Sequence, residues 1–196
     1  MNKKILVPIL GESGSGKSSL LNLLSEWDSI PSLKEKINIV ITRTDRPIRE
    51  YELDGVDYIF SNYEPTSENI VEHSCFKNSW NYWTEDSDYK ENKLNIGVFN
   101  PNSYRKIKNN QNFILYPIVI KASDKTRLIR SLNREIHPDC TEICRRFLSD
   151  KEDFKKIQNE ISQPYIVISY SESPLYSIEI NHLVKYLQSI IEKNNI

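Results

Sequence analysis

Glycine is scarce in this chain. It has five in 196 residues, Gly11, Gly14, Gly16, Gly55 and Gly97, where ordinary usage would give roughly fourteen. An excess of charge of one sign is missing as well. The 26 basic and 27 acidic residues leave a net charge of −1, which gives no footing for generic binding to nucleic acid or a membrane surface. No apolar run approaches the ~20 residues needed to cross a bilayer. The opening Met1-Asn2-Lys3-Lys4-Ile5 leads into one short apolar stretch that is interrupted by Pro8 and closed at Gly11. With no small-residue cleavage site there, a secretory signal is not expected. The three cysteines, Cys75, Cys140 and Cys144, are an odd number, which suits free thiols in a reducing compartment. These absences predict a cytoplasmic protein of one domain, monomeric or homodimeric, with small-molecule partners rather than nucleic acid or membrane.

What glycine there is has been concentrated. Three of the five lie between residues 11 and 16, behind the continuous apolar run Ile5-Leu6-Val7-Pro8-Ile9-Leu10. Such a run is the pattern of a strand buried on both faces of a parallel sheet. From Lys17 to Glu26, Leu20, Leu21, Leu23 and Leu24 recur at helical spacing. Strand, glycine turn and helix together open an α/β nucleotide-binding unit.

The turn itself, Gly11-Glu12-Ser13-Gly14-Ser15-Gly16-Lys17-Ser18, fits G-x-x-x-x-G-K-[ST] at every fixed position. Glycines let the backbone curl so that successive N–H groups face a phosphate, and the helix adds its positive end. Lys17 can reach the β- and γ-phosphates of ATP, and the Ser18 hydroxyl can ligate Mg²⁺. Ser13, Ser15 and Ser19 complete the expected phosphate-binding set. The motif fixes a nucleoside triphosphate site and leaves the choice among GTPase, ATPase and kinase open.

Further along, Ile37–Ile41, Leu94–Phe99, Phe113–Ile120 and Tyr165–Ser169 read as core strands. Ser123 or Asp124 is placed to cap a helix through Leu128, Ile129 and Leu132. Charged helices follow from about Arg134 to Lys156, and an amphipathic helix runs from Tyr176 to Lys193. Between residues 42 and 93 the chain is polar and aromatic, and Val56-Asp57-Tyr58-Ile59-Phe60 alternates as a half-exposed sheet would. Trp80, Tyr82 and Trp83 there can stack a base or form a small core. His137, Cys140 and Cys144 resemble a zinc half-site only in passing and read as ordinary helix residues.

In the polar stretch, Arg46 and Arg49 stand three apart, with Tyr58 nine beyond. Two guanidinium forks and a phenol make a plausible clamp for a phosphate monoester, and an exposed charged loop is the equal alternative. Here the sequence resembles the guanylate kinase family, whose T-x-R-x-x-R-x-x-E-x-[DN]-G-x-x-Y-x-F segment is matched from Thr44 to Phe60. The resemblance implies that Arg46, Arg49 and Tyr58 hold the phosphate of an acceptor nucleoside monophosphate, with Thr42 near the guanine. Glu72, four before Phe76, is similar to the family's base-reading glutamate. Arg130, Arg134 and Arg146 look like the lid arginines that act on the transferring phosphoryl group beside Lys17.

Two segments depart from the family. Its Tyr-Tyr-Gly turn is replaced by Asn78-Ser79-Trp80-Asn81-Tyr82-Trp83-Thr84, which leaves Tyr82 as the expected phosphate contact. Its Asp-x-Asp-x-Gln-Gly motif is replaced by Gly97-Val98-Phe99-Asn100-Pro101-Asn102, where Asn100 can hydrogen-bond the acceptor but brings no charge. The expectation is an α/β fold with a P-loop NTPase core (1–42, 94–132, 159–196), a parallel sheet flanked by helices, a small monophosphate-binding insert (43–93) and a helical lid (133–158). The implied activity is transfer of the ATP γ-phosphoryl group to GMP or dGMP. Alternatives are a kinase for another or modified monophosphate, or an inactive guanylate-kinase-like binding module.

Overall fold

The apolar run at the start forms the first strand, β1 (Lys4–Leu10), which is buried along almost its whole length. It is the centre of the protein's computed structural model, which describes residues 3–26, 31–50, 52–61, 69–76, 80–134, 136–157, 159–168 and 177–196. The side chains of residues 26, 31, 32, 76 and 177–179 also lie outside the description. Along one side of β1 runs β7 (Leu94–Val98), parallel to it, and β2 (Ile37–Val40) pairs in parallel with β7. On the other side β8 (Phe113–Leu115) pairs with the start of β1 and β9 (Ile118–Lys121) with its end. The edge strand β10 (Tyr165–Ile168) lies beyond β9. All of these pairings are parallel.

The sequence predicts one strand from Phe113 to Ile120, and the structure divides it at Tyr116 and Pro117. Pro117 has no N–H to give to a ladder, while Tyr116 N–H still donates to Leu6 O at 2.9 Å. Both halves therefore stay on β1. Ser169 and Tyr176, expected at the ends of the last strand and last helix, lie outside the described residues.

Helices cover both faces of the sheet, as continuous apolar strands require. Ile5, Val7 and Ile9 of β1 pack with Leu20 and Leu24 of α1 (Lys17–Glu26) and with Leu183 and Leu187 of α6 (Ser177–Asn194). Leu6 and Leu10 face the other way, into a cluster with Tyr104 and Ile107 of α3 (Pro101–Lys108) and Ile157 of α5 (Cys140–Ile157). A short α2 (Pro31–Lys34) precedes β2. No helix among the described residues is long and apolar enough to cross a membrane.

α4 (Asp124–Asn133) begins at Ser123, whose hydroxyl accepts from Thr126 N–H. Its buried face differs from the expected one. Ile129 and Leu132 are exposed, and the buried side chains are Thr126 and Arg127. The buried Arg127 of this helix meets Glu12 and the Phe147 ring.

A second sheet carries β3 (Arg43–Thr44), β4 (Ile59–Phe60), β5 (Ile70–Phe76) and β6 (Trp80–Glu85), in the order β4-β3-β6-β5. β5 and β6 are antiparallel, and Trp83 is 1% exposed at the centre of the sheet. That tryptophan is core. Trp80, half-buried, borders the cleft described below.

Candidate active site

β1 ends at Leu10, and the loop from Gly11 to Gly16 delivers the chain into α1. Gly14 (φ +76°) and Gly16 (φ +106°) hold backbone angles that other residues avoid. A Cβ on Gly14 would also lie 2.5 Å from the Arg127 carbonyl oxygen, so the loop and α4 touch backbone to backbone there. Lys17 Nζ donates to Gly11 O (2.7 Å) and Glu12 O (3.1 Å), and desolvation pulls its pKa down to about 8. Ser18 and Ser19 are exposed on the first turn of α1, and Ser15 is buried with no hydrogen-bond partner for Oγ among the described residues. Ser13 N–H donates to the Asp150 carboxylate of α5. Arg130 reaches the loop from α4, with Nη1 at 3.4 Å from Gly14 O and 3.3 Å from Ser15 O.

The arginines after β2 sit on a carboxylate. Arg46 is buried and forks onto Glu52 through Nη1 (2.9 Å) and Nη2 (2.8 Å), with Nε 3.2 Å from the Tyr82 hydroxyl. Its guanidinium lies 5.1 Å from the Tyr58 ring centre and 5.4 Å from that of Phe60. Burial works against charge on both Arg46 and Glu52, and their mutual hydrogen bonds override it, raising the pKa of Arg46 and lowering that of Glu52. Arg49 Nη1 lies 3.6 Å from the same Glu52, and desolvation pushes the Tyr58 phenol up to about 12. Arg46, Arg49, Tyr58 and Tyr82 therefore form one neighbourhood organised by Glu52. Thr42 borders it, accepting from Ile59 N–H at 3.0 Å.

Glu72 on β5 is 3% exposed. Its Oε1 accepts from the Thr84 hydroxyl at 3.3 Å, and Oε2 has no hydrogen-bond partner among the described residues. Desolvation lifts its pKa to about 7, against hydrogen bonds from Ser103 and Thr84. Asn100 is the N-cap of α3, where Oδ1 accepts from Ser103 N–H (2.9 Å) and Nδ2 donates to Ser74 Oγ (2.9 Å). Both ends of that amide are thus engaged within the fold. Gly97 is buried in β7 beside Val40 and Phe99, and Phe99 is itself core.

A cleft of about 450 Å³ separates the second sheet from the α4–α5 segment. Arg49 and Trp80 line one side, and Arg134, His137 and Arg146 line the other. Arg146 is ion-paired with Glu142 at 3.6 Å, and the charge of Arg134 is felt at Lys17.

With this geometry in place, residues 2–97 match the family model described as guanylate kinase. A curated guanylate kinase from Wigglesworthia glossinidia brevipalpis is 28% identical over 201 residues, spanning 99% of this chain and 90% of its own. The chain is thus similar to guanylate kinases over nearly its whole length. A guanylate kinase from Malacoplasma penetrans is 29% identical over 171 residues, covering 83% of this chain and 78% of that one. In fold, the chain is similar to the crystal structure of guanylate kinase from Anaplasma phagocytophilum. That match has a TM-score of 0.56 at 16% identity and covers 96% of this chain and 88% of the other.

Within this chain the predicted arginines divide among three places. Arg49, Arg134 and Arg146 share the cleft, while Arg130 lies on the phosphate loop and Arg46 is tied to Glu52. Sequence reasoning passed over Glu52, Arg127 and Asp150. Glu52 stands at the fixed glutamate of the acceptor segment, and Arg127 is one helical turn before Arg130. Nothing local marks Asp150.

Proposed function

We propose that the protein transfers the γ-phosphoryl group of ATP to GMP or dGMP, yielding ADP and the nucleoside diphosphate. The observation that carries this is the convergence of Arg49, from the acceptor segment, with Arg134 and Arg146 across one cleft. Arginines so placed can stabilise an acceptor phosphate and a transferring phosphoryl group, although the carboxylates of Glu50, Asp139 and Glu142 share the cleft.

In this reading Lys17 and the N–H groups of Gly11–Ser19 bind the triphosphate. Arg46, Arg49, Tyr58 and Tyr82 hold the acceptor phosphate, and Glu72, Thr42 and Asn100 are assigned to the base. The orphaned Oε2 of Glu72 is an acceptor available to a guanine N–H. An oxygen of the acceptor phosphate attacks the γ-phosphorus as the bond to the β–γ bridging oxygen breaks, and that oxygen leaves with ADP. No general base is needed, because the attacking oxygen is already ionised. Arg130, Arg134 and Arg146 meet the charge that spreads over the transferring group.

A Mg²⁺ carried by ATP would find the exposed Ser18 hydroxyl on α1 and would supply charge neutralisation at the phosphates. The chain adds no carboxylate at the end of β7, since Gly97 and Phe99 are packed in the core. Residues 43–93 and 133–158 then act as insert and lid, closing over the substrates and keeping water from the phosphoryl group.

The test is ADP release from Mg·ATP with each common ribo- and deoxyribonucleoside monophosphate. Turnover with GMP or dGMP is expected, and Lys17→Ala should abolish it. Turnover only with another monophosphate would overturn the guanine assignment, and silence on all would overturn the kinase assignment.

A further inference from the structure

Ser13 is held at both its backbone N–H and its carbonyl by side chains that the phosphotransfer scheme leaves without a role. Its N–H donates to the Asp150 carboxylate of α5, and its carbonyl accepts from Arg127 Nε of α4 at 3.1 Å. The Arg127 side chain is completely buried. Its Nη1 pairs with Glu12 at 2.8 Å and with Asp124 at 3.2 Å, and its Cζ lies 4.5 Å from the Phe147 ring centre. Its Nη2 has no hydrogen-bond partner among the described residues. A buried guanidinium fixed on so many sides has one available geometry. With Gly14 seated on its backbone, Arg127 sets the path of the chain from Glu12 to Gly14.

Asp150 presents the opposite case. An N–H of a phosphate loop can seat an anionic oxygen, and a carboxylate oxygen has the same acceptor character and sign of charge as a phosphate oxygen. The Asp150 charge also acts on Lys17, the other group assigned to the triphosphate. Next along the helix, Lys151 pairs with Asp124 and stands over the Phe147 ring at 5.5 Å. This turn of α5 is therefore moored to α4 with the carboxylate delivered to the loop.

We propose that Arg127 and Asp150 are positioning residues of the phosphate loop that act on ATP in opposite senses. Arg127 holds the Ser13 segment in its phosphate-binding shape. Asp150 stands in for a phosphate oxygen and is displaced when ATP enters. The inference rests on the assignment of the loop to ATP.

Calorimetric titration of the full chain with Mg·ATP, without acceptor, tests both halves. Asp150→Asn keeps the size and removes the charge, so ATP should bind about tenfold tighter. Asp150→Ala should move affinity in the same direction. Arg127→Met should weaken ATP binding about tenfold, with no matching rise in the acceptor KM of the kinase assay. That variant strands the Glu12 carboxylate, so the double variant Glu12→Gln/Arg127→Met is measured beside it. Recovery of its melting temperature without recovery of ATP affinity is the expected result. Recovery of both would mean that Arg127 only neutralised Glu12, which overturns the positioning role. Unchanged or weaker binding in the Asp150 variants overturns the competitor role. If the unsubstituted protein does not bind Mg·ATP, the loop assignment falls with the inference; if it binds and the variants do not differ, only the inference falls.

Discussion

In Glu72 burial and charge oppose each other. Its pKa in the fold is about 7 against an ordinary 4.5, because desolvation favours the protonated form. The stability available with Glu72 protonated is therefore complete below about pH 4.5 and is lost as the pH rises through about 7. Glu72→Gln should raise the melting temperature at pH 8 and change it little at pH 4, which thermal scans at the two values will measure. In its proposed role at the base, Glu72 would accept hydrogen bonds in the ionised form. The KM for GMP should accordingly rise as the pH falls below about 7, and Glu72→Gln should flatten that dependence while raising KM about tenfold at pH 8. The Arg46–Glu52 fork has a different balance, since each partner is buried for the other. Arg46→Met leaves Glu52 uncompensated and should cost about 3 kcal/mol in urea unfolding, most of it returned by adding Glu52→Gln.

Among the elements, α3 depends on its first residues. Asn100 caps it and Pro101 stands at its first position, so Asn100→Ala should cost about 1 kcal/mol in chemical denaturation. Much of the fold was open to inspection in the sequence. β1, the phosphate loop and α1 were legible because a continuous apolar run, a glycine cluster and a leucine face each have one simple physical cause. The break between β8 and β9 was also written there, in Pro117, but the apolar character on both sides masked it. The buried face of α4 was not legible. Arg127 is buried because Phe147 of another helix covers it and Glu12 neutralises it, and neither partner is visible from the helix's own periodicity. Asp150 and Ser13 meet across 137 positions of chain, a juxtaposition that only the completed packing of α4 and α5 creates. Likewise the aromatic run of β6 left base stacking and core equally open until Trp83 took the centre of its sheet.

For the whole molecule, the cleft between the second sheet and the α4–α5 segment decides where charge is gathered. An arginine aimed at the transferring group matters most when charge develops, so Arg146→Ala should lower kcat by about a hundredfold with a smaller change in either KM. Steady-state kinetics in both substrates separates the two effects. Beside the end of β1, β7 ends in a place where resemblance to the family implies carboxylates and this chain has Gly97 and Phe99. A Cβ at 97 would stand 3.0 Å from the Val40 carbonyl oxygen and 3.2 Å from Phe99 Cε2. An aspartate introduced there would crowd the Val40 backbone and the Phe99 ring, each of which would have to give by a few tenths of an ångström. Shrinking Phe99 first would open a void in the cluster it shares with Leu10, Val40 and Tyr104. Either order of change passes through a poorly packed intermediate. Placing a carboxylate at the end of β7 would therefore take coordinated change at positions 40, 97 and 99, and the metal and acceptor chemistry proposed for this chain falls to the phosphate loop and the arginines.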